Sequence, residues 1–493
     1  LIVFAWLVIV PSAAYAQAFI VGVVKDTSGA VLPGVTVEAA SPALIEKTRS
    51  VVTDGGGQYR IENLRPGTYT VTFTLTGFNA VKREGIELTG TFTATVNADL
   101  RVGALAETIV VTGETPIVDV QSTTRQQVLN RELISAIPTS RNAARMAALL
   151  PSVTTSTQDV GGLAGESGAE SGDVTVHGNA DVRTQVNGVS LHSSQGNGAT
   201  GAGNIAAYQE MAVDTGGISA ESAEGGVRMN LIPREGGNTF AGAFYSAFAN
   251  KSMQSDNLTD ELRRLGLGTA NALKKYFDIN PSIGGPIKRD KLWFHATVRR
   301  NVARSFAPVF FNKNAGNPNV WTYEADTVRG SVTNDAIWTG FNGRVTWQMT
   351  AKNKISFAHD AIDSCECPRS MTATRSPEAG ATNYVKASPE SMTFLDWTAP
   401  VTNRLLLEGG FNYHRSIAHR PDSNLYFTSD PGPLRLNGVV EQSLGFSYRA
   451  VPGSSRNTEG GLFLPRMAAS YITGAHAFKA GFNFGHTFRK TFN

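Results

Sequence analysis

Leu292-Trp293-Phe294-His295-Ala296-Thr297-Val298-Arg299 is the stretch whose reading decides the fold. In an extended chain Leu292, Phe294, Ala296 and Val298 share one face, and Trp293, His295, Thr297 and Arg299 share the other. The same dyad recurs along the second half of the chain. Phe240, Phe244 and Phe248 alternate with Ala241, Tyr245 and Ala247. Phe341, Val345 and Trp347 face away from Asn342, Arg344 and Gln348. Leu405, Leu407, Phe411 and Tyr413 oppose Glu408 and Asn412. Phe478, Phe482, Phe484 and Phe488 oppose Lys479, Asn483 and Thr487. Each segment runs to about ten residues or slightly more, the length of a transmembrane β-strand. A soluble sandwich gives the same alternation. The aromatic load, the strand length and the N-terminal leader favour the membrane barrel. Roughly nine such strands are expected over 236–493. Short turns join them on one side, and long polar loops on the other at 251–274, 305–335, 363–387 and 417–463.

Leu1 to Val10 is an apolar run ended by Pro11, and Ala14-Tyr15-Ala16 supplies small residues for cleavage. It reads as a signal peptide over 1–16, with Gln17 first in the mature chain. The run is too short to span a bilayer, and no later stretch is a helical span. The missing basic start and the end at Asn493 read as a fragment cut at both ends. The 493 residues point to several domains. A net charge of +3 makes no case for nucleic acid. The two cysteines, Cys365 and Cys367, rule out a disulfide framework and are expected to be too close for an unstrained bridge. No further ligands stand near them, so no metal or cofactor is expected.

Residues 17–101 read as a β-sandwich of roughly seven short strands. Phe19 to Lys25, Val35 to Ala39, Tyr59 to Ile61, Thr68 to Leu75 and Phe92 to Leu100 are strand-like. Asp26-Thr27-Ser28-Gly29, Asp54-Gly55-Gly56-Gly57 and Arg65-Pro66-Gly67 are turns. Gly22 to Asp26, Leu32-Pro33-Gly34-Val35, Gly57-Gln58-Tyr59, Asn63 to Tyr69 and Gly77-Phe78 resemble the carboxypeptidase regulatory-like domain, with Arg65 where a Pro is common. That resemblance implies a non-catalytic module. A zinc carboxypeptidase site needs His-x-x-Glu, and none of the eight histidines has Glu three positions on. No catalytic residue is assigned, and the chain is not read as an enzyme.

Residues 121–235 read as a small α+β unit with Gly-rich loops and few large apolar residues, better stabilised inside something else. Asn130 to Ile134 fits a helical turn, Ser140 or Asn142 can cap Ala143 to Leu150, and Asn187-Gly188 suits a type I′ hairpin. Ile137-Pro138, Arg141-Asn142, Leu149 to Val153, Val174 to Asn179 (with His177 where Arg is commonest), Gln185 to Val189, Gly225-Gly226-Val227 and Asn230-Leu231-Ile232 resemble the plug of a TonB-dependent outer-membrane receptor. Ile283 to Ile287 with Lys291 to His295 resembles the opening hairpin of such receptors that carry a regulatory-like domain.

Between sandwich and plug, in a linker over 102–120, stands Glu107-Thr108-Ile109-Val110-Val111-Thr112. Its five β-branched residues favour an extended chain. Alone in a linker, such a segment has two unpaired backbone edges and suits addition to another protein's sheet. Its place before the plug is that of the Ton box in the family it resembles. The resemblance implies an energy-coupled receptor of the outer membrane, its sandwich in the periplasm. A TonB-type energy-transducing protein would grip Glu107 to Thr112. Lipid would surround the barrel, and a siderophore, oligosaccharide or peptide would be the external ligand. The loops show no aromatic cluster that would argue for sugar. The rival reading is a non-transporting adhesion or secretion-linked surface protein. The fold expected is thus mainly β: a sandwich, an α+β plug and the first part of a transmembrane barrel.

Overall fold

The computed structural model describes residues 18–103, 108–112, 125–137, 141–155, 169–170, 174–176, 182–190, 198–199, 204–216, 227–264, 272–314, 317, 319–366, 374–377, 385–420, 438–449 and 456–492, except 43, 45, 46, 66, 89–92, 142, 148, 152, 256, 257, 351, 403, 404, 444, 474 and 475. Among them no helix is long and apolar enough to cross a membrane. The chain is mainly β.

The first unit contains β1 (Ala18–Asp26), β2 (Thr36–Ala40), β3 (Thr48–Val52), β4 (Gln58–Leu64), β5 (Gly67–Thr74), β6 (Ala80–Leu88), β7 (Thr93–Thr95) and β8 (Ala98–Leu100). One sheet runs β4-β1-β7 with β8 also on β1, and the other contains β3-β2-β5-β6. Tyr69, Val71 and Phe73 of β5 are buried while the threonines between them are not, as the period-two pattern expects. They meet Ile20, Val37, Ile61 and Leu100 in one core. The Tyr59 hydroxyl donates to the Val96 carbonyl at 2.6 Å. Burial raises the pKa of Tyr59 well above the tyrosine range, so the phenol stays a neutral donor. Eight strands stand where about seven were expected. The last expected strand is interrupted at Val96 and Asn97, where the Asn97 side-chain oxygen accepts from Val23 N at 2.9 Å.

A ninth strand, β9 (Thr108–Thr112), follows and is treated below. The plug then begins with β10 (Arg125–Asn130), α1 (Arg131–Ala136) and α2 (Ala143–Ala147). Asn130 caps α1, its side-chain oxygen accepting from Leu133 N at 3.0 Å. Next come β11 (Val153–Thr155), β12 (Ala169–Glu170), β13 (Val174–Val176), β14 (Val182–Val186), β15 (Val189–Ser190), β16 (Gly198–Ala199), β17 (Tyr208–Gly216) and β18 (Val227–Pro233). The central sheet runs β10-β17-β18-β14-β15. Asn187 and Gly188 both have positive φ, 50° and 75°, as a type I′ turn requires.

The third unit is one antiparallel sheet: β19 (Ala241–Asn250), β20 (Ala272–Lys288), β21 (Leu292–Phe310), β22 (Ser331–Thr350), β23 (Asn353–Glu366), β24 (Val385–Pro400) and β25 (Leu405–Arg420), then, past the hairpin β26 (Val439–Glu441) and β27 (Phe446–Tyr448), β28 (Arg456–Thr473), β29 (His476–Asn483) and β30 (His486–Phe492). The order is β19 to β25, then β28 and β29, with β30 also on β28. Among the described residues this sheet does not close on itself.

Its polarity is inverted. Thr297 and Arg299 are each 1 % exposed while Val298 between them is 44 % exposed. Asp278, Asn280, Asn342, Arg344, Asp396 and Asn412 are buried on one face. Ile279, Ile283, Phe341, Trp347, Phe357, Leu395 and Phe411 are bare on the other. A soluble sandwich buries the second set. A wall of aromatic and aliphatic side chains with polar groups behind it is a membrane barrel's outer surface. This distribution of exposure thus resolves the choice that the sequence left between sandwich and barrel.

Most strands are longer than expected, 14 to 20 residues from β20 to β25 and in β28. The loops shrink accordingly, to 311–330 where 305–335 was expected. The apolar alternation fades towards the strand ends, but the ladder goes on through polar pairs such as Arg304 Nε with Asp335 Oδ2 at 2.9 Å. The apolar pattern marks only part of each strand, whereas strand length follows the hydrogen bonds.

Candidate functional site

Thr108 to Thr112 are extended, as their β-branched side chains dictate, but they do not hang free. They form β9, parallel to β6, with Ala80 opposite Thr108, Val81 opposite Ile109, Lys82 opposite Val110, Arg83 opposite Val111 and Glu84 opposite Thr112. The expectation of an isolated linker strand with two open edges is corrected: one edge is taken by the sandwich. The sheet is β3-β2-β5-β6-β9, with β9 at its margin. The segment is extended enough to pair, and the nearest partner with unsatisfied backbone is the outermost strand of the preceding unit. Glu107 lies outside the described residues, as do Pro138, Ser140, Asn142, His177 and Gly225-Gly226 of the plug motifs.

The plug is seated against the polar face of the wall. Its core of Leu129, Ile134, Met146, Ile205, Tyr208, Met211, Met229 and Leu231 is continuous with Ala358, Met392 and Phe394 of β23 and β24. The expectation that this unit needs an outside surface to complete its core is met by those three side chains.

Polar groups fix the seat. Asn204, fully buried, donates to Asn342 Oδ1 at 3.0 Å and to Thr297 Oγ1 at 3.3 Å, and accepts from Asn280 Nδ2 at 2.7 Å. One plug amide thus engages three neighbouring strands. Arg299 donates to Asp278 through Nε at 3.1 Å and Nη2 at 2.7 Å, and through Nη1 to the Arg141 carbonyl at 3.3 Å. The Arg141 guanidinium lies 4.4 Å from the Tyr245 ring centre. Burial lowers the pKa values of Arg131, Arg141 and Arg234. That of Arg131 falls to about 10, with Arg234 and Arg141 adding repulsion, so Arg131 remains charged at neutral pH.

Glu235, where plug passes into wall, accepts from Arg344 Nη2 at 3.0 Å and pairs with Arg65 of the sandwich. Arg65 is the residue that departs from the regulatory-like pattern, and this ion pair is what it does here. Beside it, Lys47, Arg65, Gln209, Glu235, Lys354 and Asp396 line a cleft of about 770 Å³ between sandwich and wall.

At the long-loop end, aromatic side chains converge. The Tyr323 ring centre is 4.7 Å from Phe446 and 5.8 Å from Tyr448. The Tyr448 hydroxyl donates to the Trp321 carbonyl at 2.8 Å, and the Arg449 guanidinium lies 4.1 Å from the Trp321 ring centre. The sequence reading of loops without an aromatic cluster is corrected: residues more than a hundred positions apart meet. Composition within one loop carries no signal of that. A second correction concerns Cys365, which is disulfide-bonded. The chain's other cysteine is Cys367, outside the described residues. No group of three or more metal-ligating side chains stands together among the described residues.

Residues 20–101 match the family model of the carboxypeptidase regulatory-like domain. The chain is 31 % identical over 307 residues to the TonB-dependent transporter Oar of Myxococcus xanthus, covering 61 % of this chain and 27 % of that protein. It thus spans about a quarter of the length of the curated relative it matches. Among solved structures it is similar to the outer membrane transporter YddB of Escherichia coli (TM-score 0.48, 10 % identity, 74 % of this chain and 48 % of that one). It is likewise similar to the siderophore receptor PirA of Acinetobacter baumannii (TM-score 0.49, 12 % identity, 73 % and 48 %). The resemblance drawn from the motifs is borne out at this level: the chain is similar to Oar and carries a regulatory-like domain near its N-terminus.

Proposed function

We propose that the chain is the N-terminal part of a TonB-dependent transporter that takes up an external ligand by energy-coupled movement of its plug. The division is sandwich to residue 101, linker with the gripped strand to 120, plug to 235 and wall beyond. The sandwich lies in the periplasm. The observation that carries the reading is the order of parts along one chain: an extended uncharged strand at Thr108–Thr112, then a unit seated on the polar face of a lipid-facing wall. A pull on that strand is transmitted to the plug, because the chain between them is continuous.

The plug is suited to being moved. Part of its seat consists of neutral side-chain hydrogen bonds, those of Asn204, which water can replace as they open. The aromatic group around Trp321 and Tyr323, at the end away from the sandwich, supports a ligand approaching from outside. A TonB-type protein grips Glu107 to Thr112 through the backbone, by strand addition, so no side-chain pocket is required.

The test replaces Ile109 by Pro in the full-length protein. Proline removes a backbone donor and breaks strand pairing. Binding of the periplasmic domain of the cognate TonB-type protein is expected to be lost, with outer-membrane insertion intact. Unchanged binding sinks the reading.

A further inference from the structure

The strand β9 leaves its sheet unfinished. It stands last in the order β3-β2-β5-β6-β9, and among the described residues no strand pairs with its second edge. Along a strand, backbone N–H and C=O groups point alternately to the two sides. One set of β9 therefore meets β6, and the other set faces outward. Proteins normally guard such an edge with charge, proline or a bulge. Thr108-Ile109-Val110-Val111-Thr112 has no charge and no proline, and its register with β6 runs through five residues without a shift. Among the described residues the edge is extended, and its own sequence carries none of these guards. It also lies on the route to the plug, since the chain runs from Thr112 to the plug's first strand at Arg125.

We propose that the sandwich is a docking platform for the energy-transducing protein: it holds Thr108–Thr112 extended on β6, so that a strand of the TonB-type partner adds to the outer edge as the next strand of that sheet. The proposal rests on the reading of residues 107–112 as the gripped segment. It commits to a β-strand as occupant because the hydrogen-bond ladder is continuous from β3 to β9 and, among the described residues, ends there. The benefit is preorganisation. A free linker must be straightened at the moment of binding, whereas a strand already in a sheet has lost that freedom beforehand. The sandwich then travels with β9 as part of the handle, and tension passes onward through the residues after Thr112.

The opposite arrangement is equally concrete: the sandwich masks the strand, and the partner must take the place of β6. The two are separated by locking the β6–β9 pair. Lys82 and Val110 are register partners, and Lys82 is solvent-accessible. Lys82→Cys with Val110→Cys is introduced into the full-length chain carrying Cys365→Ser and Cys367→Ser. Binding of the cognate TonB-type periplasmic domain is measured on oxidised and reduced protein. A platform predicts that the disulfide forms and that the oxidised protein binds at least as tightly as the reduced. Loss of affinity by about tenfold or more on oxidation, restored by reduction, shows masking and overturns the proposal. Failure of the disulfide to form also overturns it, because the pairing is then absent. Ile109→Pro serves as the separate control. If it binds like the wild type, residues 107–112 are not the gripped segment and the function proposed above fails first.

Discussion

Removing Asp278 should show how much of the plug seat depends on one buried charge. Asp278 and Arg299 are almost wholly buried, and the guanidinium gives the carboxylate bonds from Nε and Nη2. In Asp278→Ala the arginine keeps its charge in a buried site and loses this carboxylate. Breaking one side of such a pair destabilises by about 3–5 kcal/mol. The bond from Nη1 to the Arg141 carbonyl is neutral at its acceptor and worth about 1.5–3 kcal/mol at most, so it does not replace the carboxylate. Replacing both partners by apolar residues of similar volume, Asp278→Leu with Arg299→Met, should recover most of the loss, because the desolvation of two charges disappears with them. The assay is urea unfolding of the full-length protein in detergent micelles. Tryptophan fluorescence is a local reporter, since Arg299 lies 5.5 Å from the Trp338 ring centre. The reasoning is refuted if Asp278→Ala lies within about 1 kcal/mol of wild type, or if the double variant is no better than the worse single one.

Three further outcomes are expected. Gly57 has φ of 68°, and a Cβ there would stand 2.7 Å from the Val24 carbonyl oxygen. Gly57→Ala should destabilise the sandwich by at least about 1–2 kcal/mol, read as a lower thermal midpoint. Asp26 has its pKa lowered by the Ser28 hydroxyl, with backbone N–H groups of Ala30, Ser28 and Gly29 adding to the effect. A folded pKa below the unfolded one means stabilisation that is present above the unfolded value of 3.8 and lost as pH falls through the folded value. Asp26→Asn should therefore be less stable than wild type at neutral pH, with the difference closing below about pH 4 in an acid titration of unfolding. Asn204→Leu removes an amide that meets three strands and leaves Asn342 and Asn280 short of partners. It should loosen the plug, seen as faster hydrogen exchange in Tyr208–Gly216, with wall strands unaffected.

Local chemistry determined a good deal of this protein from its sequence alone. The dyad of Leu292 to Arg299 determined a strand with two unlike faces, because side chains alternate whatever lies around them. The Asn187-Gly188 turn and the helical turn that begins near Asn130 are equally local, and both are found where the sequence places them. The motif pattern of residues 20–101 determined the sandwich, and the five β-branched residues at 108–112 determined an extended backbone. Tertiary structure decided what each of these faces. Only exposure on the assembled sheet shows Val298 bare and Arg299 buried, which separates a lipid-facing wall from a soluble sandwich. Only the fold brings Trp321 and Tyr323 to Phe446, Tyr448 and Arg449, since no periodicity links loops so far apart. The same holds for Arg65, whose partner Glu235 belongs to another unit. Thr108–Thr112 is the plainest case. β-branching makes a strand but does not choose its partner. That choice depends on which unsatisfied backbone edge lies within reach, and here it is β6.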